Sequence, residues 1–196
     1  FIKWTETQLQ LGTMQNVRHL WISVRPNGDC RPYNLNRIEI RISDLVTDPI
    51  HLLAITALLE SRILQLQQDP SLDPLLSSQL TSSSRQDDLL ALITDNEKHV
   101  AKASLNAQLR HWYDGRSIKA SDWITQIYNE VLPIAKAEGI ACFLTPIKQI
   151  LREGNQSQNW LKQIDAGMDV SDVIAQTTTV MERQEQALQS DLCLPA

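Results

Sequence analysis

The chain has 196 residues, 42% of them hydrophobic and 21% charged, which supplies enough apolar material for a packed core and places it among globular proteins. Its formal charge of −5 argues against nucleic acid as a bulk partner, because neutralising phosphates needs a net basic face. No stretch approaches the roughly eighteen unbroken apolar residues of a membrane span, and no basic-then-apolar leader opens the chain, so a cytoplasmic protein without membrane contact is expected.

The chain opens at Phe1 and its first methionine is Met14, which reads as a trimmed chain or a piece of a longer one. Trp4 to Leu11 followed by Gly12 has the form of a helix end. From His19 to Arg25 the period changes to two, with Leu20, Ile22 and Val24 on one face and His19, Trp21, Ser23 and Arg25 on the other. Pro26, Asn27, Gly28, Pro32 and Asn34 make a turn-rich connection, and alternation returns with Ile38, Ile40 and Ile42 against Arg37, Glu39, Arg41 and Ser43. Strands joined so closely are expected to pair antiparallel, with their polar faces coinciding.

After Asp44 the pattern predicts helices. Asp48 is the expected N-cap and Pro49 the first helical residue of a helix reaching about Gln68. A loop follows over 69–85, then helices over Gln86 to Trp112, with a break near Asp95 and Asn96, and from a Ser121 cap to about Ala137. Thr145-Pro146 starts a short helix ending before Gly154, and two more cover Ser157 to Ala166 and Ser171 to Gln189. The expected class is α+β, with a β-hairpin portion over 1–48 and a helical region over 49–196. Two strands alone are marginal in water, so the sheet is expected to be completed by an upstream part of the same protein or by a partner.

Cys30, Cys142 and Cys193 are odd in number and far apart, which fits reduced thiols. His19, His51, His99 and His111 form no pair at metal-binding helical spacing, so any metal is expected to be a hard ion held by carboxylates. Trp112, Tyr113 and Trp123 read as packing residues where helices meet. Asn155-Gln-Ser157 matches a glycosylation sequon without meaning in a cytosolic protein, and Arg85-Gln-Asp-Asp88 reads as a helix start.

The chemistry concentrates on Arg37, Glu39 and Arg41, spaced about 7 Å apart along one strand face, with Arg25 on the neighbouring strand. On residue types alone there are two readings. One is a solvated face of cross-strand ion pairs. The other is a nucleotide site, in which Glu39 holds Mg²⁺ and the arginines neutralise phosphate oxygens.

Trp21 with a strand ending Val24-Arg25-Pro26, then Glu39-x-Arg41-x-x-Asp44 and a Pro49-started helix, resembles the glutamate-cysteine ligases of the carboxylate-amine ligase type. The wording over His19 to Pro49 is most similar to the cyanobacterial branch, and Asn96-Glu97 ahead of Ala101 and Asn106 is similar to a later helical motif. Two departures stand out: many relatives carry Asp where this chain has Ser23, and a glycine expected near the later motif is absent. The resemblance implies a glutamine synthetase-like fold, whose curved antiparallel sheet carries Mg²⁺-ATP, and a C-terminal portion of an enzyme joining the γ-carboxylate of glutamate to the amine of cysteine. It assigns Glu39 to the metal and Arg25, Arg37 and Arg41 to ATP, with Arg25 and Arg41 as catalytic phosphate or acyl-phosphate stabilisers and Asp44 ranked last. The rivals are a carboxylate-amine ligase for other substrates and a non-catalytic helical interaction module.

Overall fold

The structure is a computed structural model that describes residues 7–12, 22–25, 37–40, 45–80 and 84–192. The chain divides into two compact units, Phe1–Leu45 and Val46–Ala196.

In the first unit, residues 7–10 are helical and Gly12 follows at φ +70°, the left-handed conformation glycine adopts without a Cβ clash. Strands β1 (Ile22–Arg25) and β2 (Arg37–Ile40) pair antiparallel, as the two alternating segments require.

The second unit is mainly helical. Helix α1 (Pro49–Gln68) begins where the Asp-Pro signal placed it: Asp48 Oδ1 accepts the Ile50 N–H at 2.8 Å and Pro49 needs no donor there. Its eighteen-residue window of mean hydropathy 1.2 makes it long and apolar enough to cross a membrane by length and composition alone, although His51, Glu60 and Arg62 interrupt the apolar run. In this unit its small residues face inward. Ala54, Ala57 and Ser61 are buried, and the Ser61 hydroxyl donates to the Ala57 carbonyl at 2.8 Å. Small side chains let α1 lie close to the long helix over Ala120–Ala137.

The segment over 69–85 begins as two successive Asp-Pro turns. Asp69 caps a 3₁₀ turn (Pro70–Leu72), and Asp73 caps the short α2 (Pro74–Ser77). The Ser71 hydroxyl donates to Asp69, with help from the Ser71 N–H, and holds that carboxyl below the ordinary range; Ser171 does the same for Asp169. Helix α3 (Arg85–Ala103) starts at a Ser84 cap with Asp87 and Asp88 in its first turn, and it runs unbroken through Asp95 and Asn96.

The helix expected to reach Trp112 stops nine residues earlier, at Ala103. Ser104 takes φ 50°, ψ −128°, a backbone state that suits glycine, and a 3₁₀ turn (Ser104–Asn106) leads into a second antiparallel hairpin. Its strands are β3 (Gln108–Arg110) and β4 (Ser117–Lys119), paired Leu109 with Ile118. Three-residue strands are too short for period two to stand out from a helical background. The hairpin is held by its surroundings. Asn96 on α3 donates to the Arg110 carbonyl and accepts the Arg110 N–H, both at 2.8 Å, so one carboxamide serves as a strand neighbour.

Helix α4 (Ala120–Ala137) follows directly, so Ser121 lies inside it and is not its cap. Helices α5 (Thr145–Glu153), α6 (Gln156–Asp165) and α7 (Val170–Leu192) complete the unit. Asn155 serves α6 as half of a capping box with Gln158, a structural use of the asparagine in the sequon. The core joins Ala54 and Ala57 of α1 to Tyr128, Val131 and Ala135 of α4, to Leu144 just before α5 and to Ile147 within it. A smaller cluster of Ala107, Leu109 and Ala120, flanked by Ile118 and Trp123, seats the second hairpin. Cys142 is free and exposed.

Candidate functional site

The register of β1 and β2 orders the residues singled out by sequence. Arg25 stands directly opposite Arg37, Ser23 opposite Glu39, Val24 opposite Ile38 and Ile22 opposite Ile40. Opposed positions in an antiparallel pair share a face, so Ser23, Arg25, Arg37 and Glu39 form one block of positions. Two like charges directly across a ladder are unfavourable. Carboxylate, hydroxyl and guanidinium residue types at these positions suit either a hard cation with phosphate oxygens or a face of cross-strand ion pairs. Arg41 and Asp44 lie outside the described residues, as do His19, Trp21 and Pro26.

In the second unit the polar groups converge elsewhere, on a cleft of about 490 Å³ between α1, α4, the 69–80 segment and the β3–β4 turn. Ser78 Oγ donates to the Trp112 carbonyl at 2.8 Å, and the Gln79 N–H donates to the Tyr113 carbonyl at 2.6 Å, which ties the turn to the connecting segment. On the opposite wall Arg62 Nη1 reaches Glu130 Oε2 at 3.0 Å and Gln65 Oε1 at 2.5 Å, while Gln126 Nε2 donates to Glu130 Oε1 at 2.7 Å. Both Glu130 oxygens are thereby engaged.

His111 sits where the two walls meet, only 8% exposed. Its ring lies 4.8 Å from Trp123 and 5.6 Å from Trp112, and Trp112 meets Tyr113 edge-on at 5.7 Å. The Tyr113 N–H donates to His111 Nδ1 at 3.2 Å, which puts the lone pair on Nδ1 and the proton of the neutral ring on Nε2. Burial, then the Arg116 guanidinium, pulls the His111 pKa below its usual 6.5, against the weaker opposing pull of Asp114 and Glu130. The 3.9 Å approach of Nδ1 to Asp114 is therefore no ion pair at neutral pH.

The sequence reading assigned Trp112, Tyr113 and Trp123 to packing and saw in His111 only an unpaired histidine. Packing describes part of their role, since Trp123 flanks the small core cluster, yet together they also line the cleft. Arg62 and Glu130 are 68 positions apart, so no local motif announces their pairing. The one local sign was Trp112-Tyr113-Asp114-Gly115, whose Gly115 at φ +73° marks a tight turn just past the expected helix end.

A model of the glutamate-cysteine ligase family 2 matches residues 1–188. The chain is 26% identical over 168 residues to a Frankia casuarinae protein named "Putative glutamate--cysteine ligase 2-1", covering 85% of this chain and 39% of that relative's length. No solved structure matches.

Proposed function

The chain belongs to the glutamate-cysteine ligase family 2, and from that premise we propose that it forms part of an ATP- and Mg²⁺-dependent ligase joining the γ-carboxylate of glutamate to the amine of cysteine. In such a reaction the carboxylate takes the terminal phosphoryl group of ATP, and the amine then attacks the acyl carbon and expels phosphate. Phosphoryl transfer of this kind depends on positioning and on neutralising oxygen charge. Mg²⁺, when bound, supplies that neutralisation on the nucleotide side.

The register across β1 and β2 is the observation that carries the reading: a Glu39 position opposite a hydroxyl and diagonal to Arg25, with Arg25 facing Arg37. In this reading Glu39 holds the metal, Arg25 and Arg37 hold phosphate oxygens, and Arg41 joins Arg25 in stabilising the acyl phosphate. The hairpin is assigned to a curved antiparallel sheet of the glutamine synthetase-like kind, in a cytoplasmic enzyme.

Glu39→Gln in the intact protein tests it. An amide is a far poorer ligand for a hard cation. The expected loss of Mg²⁺-dependent ATP turnover is on the order of 100-fold, the size seen when one preorganised electrostatic contact is removed, with circular dichroism unchanged. Wild-type turnover at saturating Mg²⁺ would remove Glu39 from the metal site. Arg41→Lys keeps the charge but loses the planar fork, and steady-state kinetics like wild type would make that arginine a surface ion-pair partner.

A further inference from the structure

We infer that the cleft between Arg62 and His111 is a binding site for a small organic anion whose oxyanion is joined to a flat ring. This site lies wholly within the helical unit and does not depend on the ligase chemistry assigned to β1 and β2.

Three observations converge on it. The first is hydrogen-bond supply. The carboxylate in the cleft is consumed internally, since both Glu130 oxygens accept from Arg62 and Gln126. The donors are in surplus. Arg62 is a five-donor group of which only Nη1 has a partner among the described residues, and the Nε2–H of neutral His111 has none. A ligand that satisfies this wall must bring acceptors, and a planar guanidinium fork is matched by a carboxylate or a phosphate.

The second is the shape of the apolar wall. Trp112, Trp123 and Tyr113 line the cleft around His111, whose ring lies 5.6 Å from Trp112 and 4.8 Å from Trp123, and Ser78 and Gln79 anchor the turn that carries His111, Trp112 and Tyr113. Such a surface favours stacking of a planar ring. The third is size and burial: about 490 Å³ accommodates a small ring compound, and Arg62 retains only 19% side-chain exposure, so its charge acts in a partly desolvated setting.

The shared chemistry can come from an aromatic carboxylate or from a ring-bearing phosphate, and probes separate them. Trp112 and Trp123 provide the signal. Benzoate, phenyl phosphate and inorganic phosphate are titrated into the full chain while intrinsic tryptophan fluorescence is followed. Saturable quenching is expected from at least one ring-bearing anion with Kd at or below about 1 mM, and inorganic phosphate alone is expected to bind at least about tenfold more weakly. The tighter of the two ring-bearing probes identifies the source.

Arg62→Lys keeps the Glu130 pairing charge but removes the fork, and it is expected to weaken the better probe about tenfold while thermal unfolding stays near wild type. Should Arg62→Lys prove unstable, Trp112→Leu serves as the second variant and is expected to weaken ring-bearing probes without moving inorganic phosphate. Three results overturn the inference: no saturable quenching by either ring-bearing anion, equal affinity for inorganic phosphate, or unchanged affinity in whichever variant folds. Because the readout is binding and not turnover, its failure leaves the ligase reading untouched, and loss of turnover in Glu39→Gln leaves this site untouched.

Discussion

The two hairpins are both short, with four and three paired residues, yet they are specified in different ways. In β1–β2 every second residue is isoleucine or valine and the residues between are polar or charged, so the segment declares its own period and its own two faces. In β3–β4 the strands hold only Leu109 and Ile118 as apolar members, and the pair is fixed from outside by the Asn96 carboxamide, by burial of Leu109 against Ala107 and Ala120, and by the turn at Gly115. The contrast teaches that one hairpin is written in its own alternating sequence, while the other is a structural joint that turns the chain from α3 to α4 and builds one wall of the cleft.

If that division is right, substitutions in the two hairpins should separate activity from stability. Glu39→Gln should reduce turnover with little change in unfolding midpoint. Leu109→Ala should do the reverse, costing about 2–4 kcal/mol in a chemical-denaturation experiment because it deletes most of a buried side chain. A large stability loss from Glu39→Gln together with a neutral Leu109→Ala would break the comparison.

Gly115→Ala sharpens it. At φ +73° a Cβ carries a conformational cost, and it would stand 2.9 Å from Leu80 Cδ2 and 3.3 Å from Arg110 Nη2. The expected destabilisation is about 2 kcal/mol. Gly139→Ala is the control: φ is +75° but nothing lies within 4 Å, so only the conformational part, about 1 kcal/mol, should appear. Equal midpoints for the two variants would show that Leu80 and Arg110 give way without cost.

Asn96→Ala removes both side-chain bonds to the Arg110 backbone and should cost about 1–2 kcal/mol, with faster hydrogen exchange at the Arg110 amide. Exchange no faster than in wild type would mean the strand edge holds without Asn96.

The pH dependence of the joint follows from His111. Its folded pKa lies below 6.5, so between that folded value and 6.5 the unfolded chain binds the proton and the folded chain does not. Stability from this group is therefore complete above 6.5 and is lost as pH falls through the window toward the folded pKa. The slope of melting temperature against pH below 6.5 should flatten in His111→Gln. An unchanged slope would show that other groups set the acid sensitivity.

The smallest effect is expected at Ser104. Its φ of 50° with ψ −128° suits glycine, the residue that the family resemblance leads one to expect near this motif. Ser104→Gly relieves backbone strain but loses the 2.7 Å bond accepted from Asn155 Nδ2, and a net stabilisation under about 1 kcal/mol is expected. A lower melting temperature would show that the Asn155 bond outweighs the strain.

By itself the sequence determined what rests on near neighbours. The Asp48-Pro49 start of α1, the helix start at Arg85-Gln-Asp-Asp88, the glycines ending helices at Gly139 and Gly154, and the antiparallel pairing of two alternating strands all follow from interactions a few residues long. So did the family resemblance over His19 to Pro49, because a motif is a local string. Only the tertiary structure decided where α3 stops, that Gln108 to Lys119 is a hairpin, and that Arg62, His111, Trp123 and Glu130 share one cleft. The local signal over Ala101 to Trp112 is helical for lack of anything stronger. A carboxamide from one helix, a buried leucine and an arginine-glutamate pair spanning 68 positions outweigh that weak preference, and contacts at such separation leave no periodic trace in the chain.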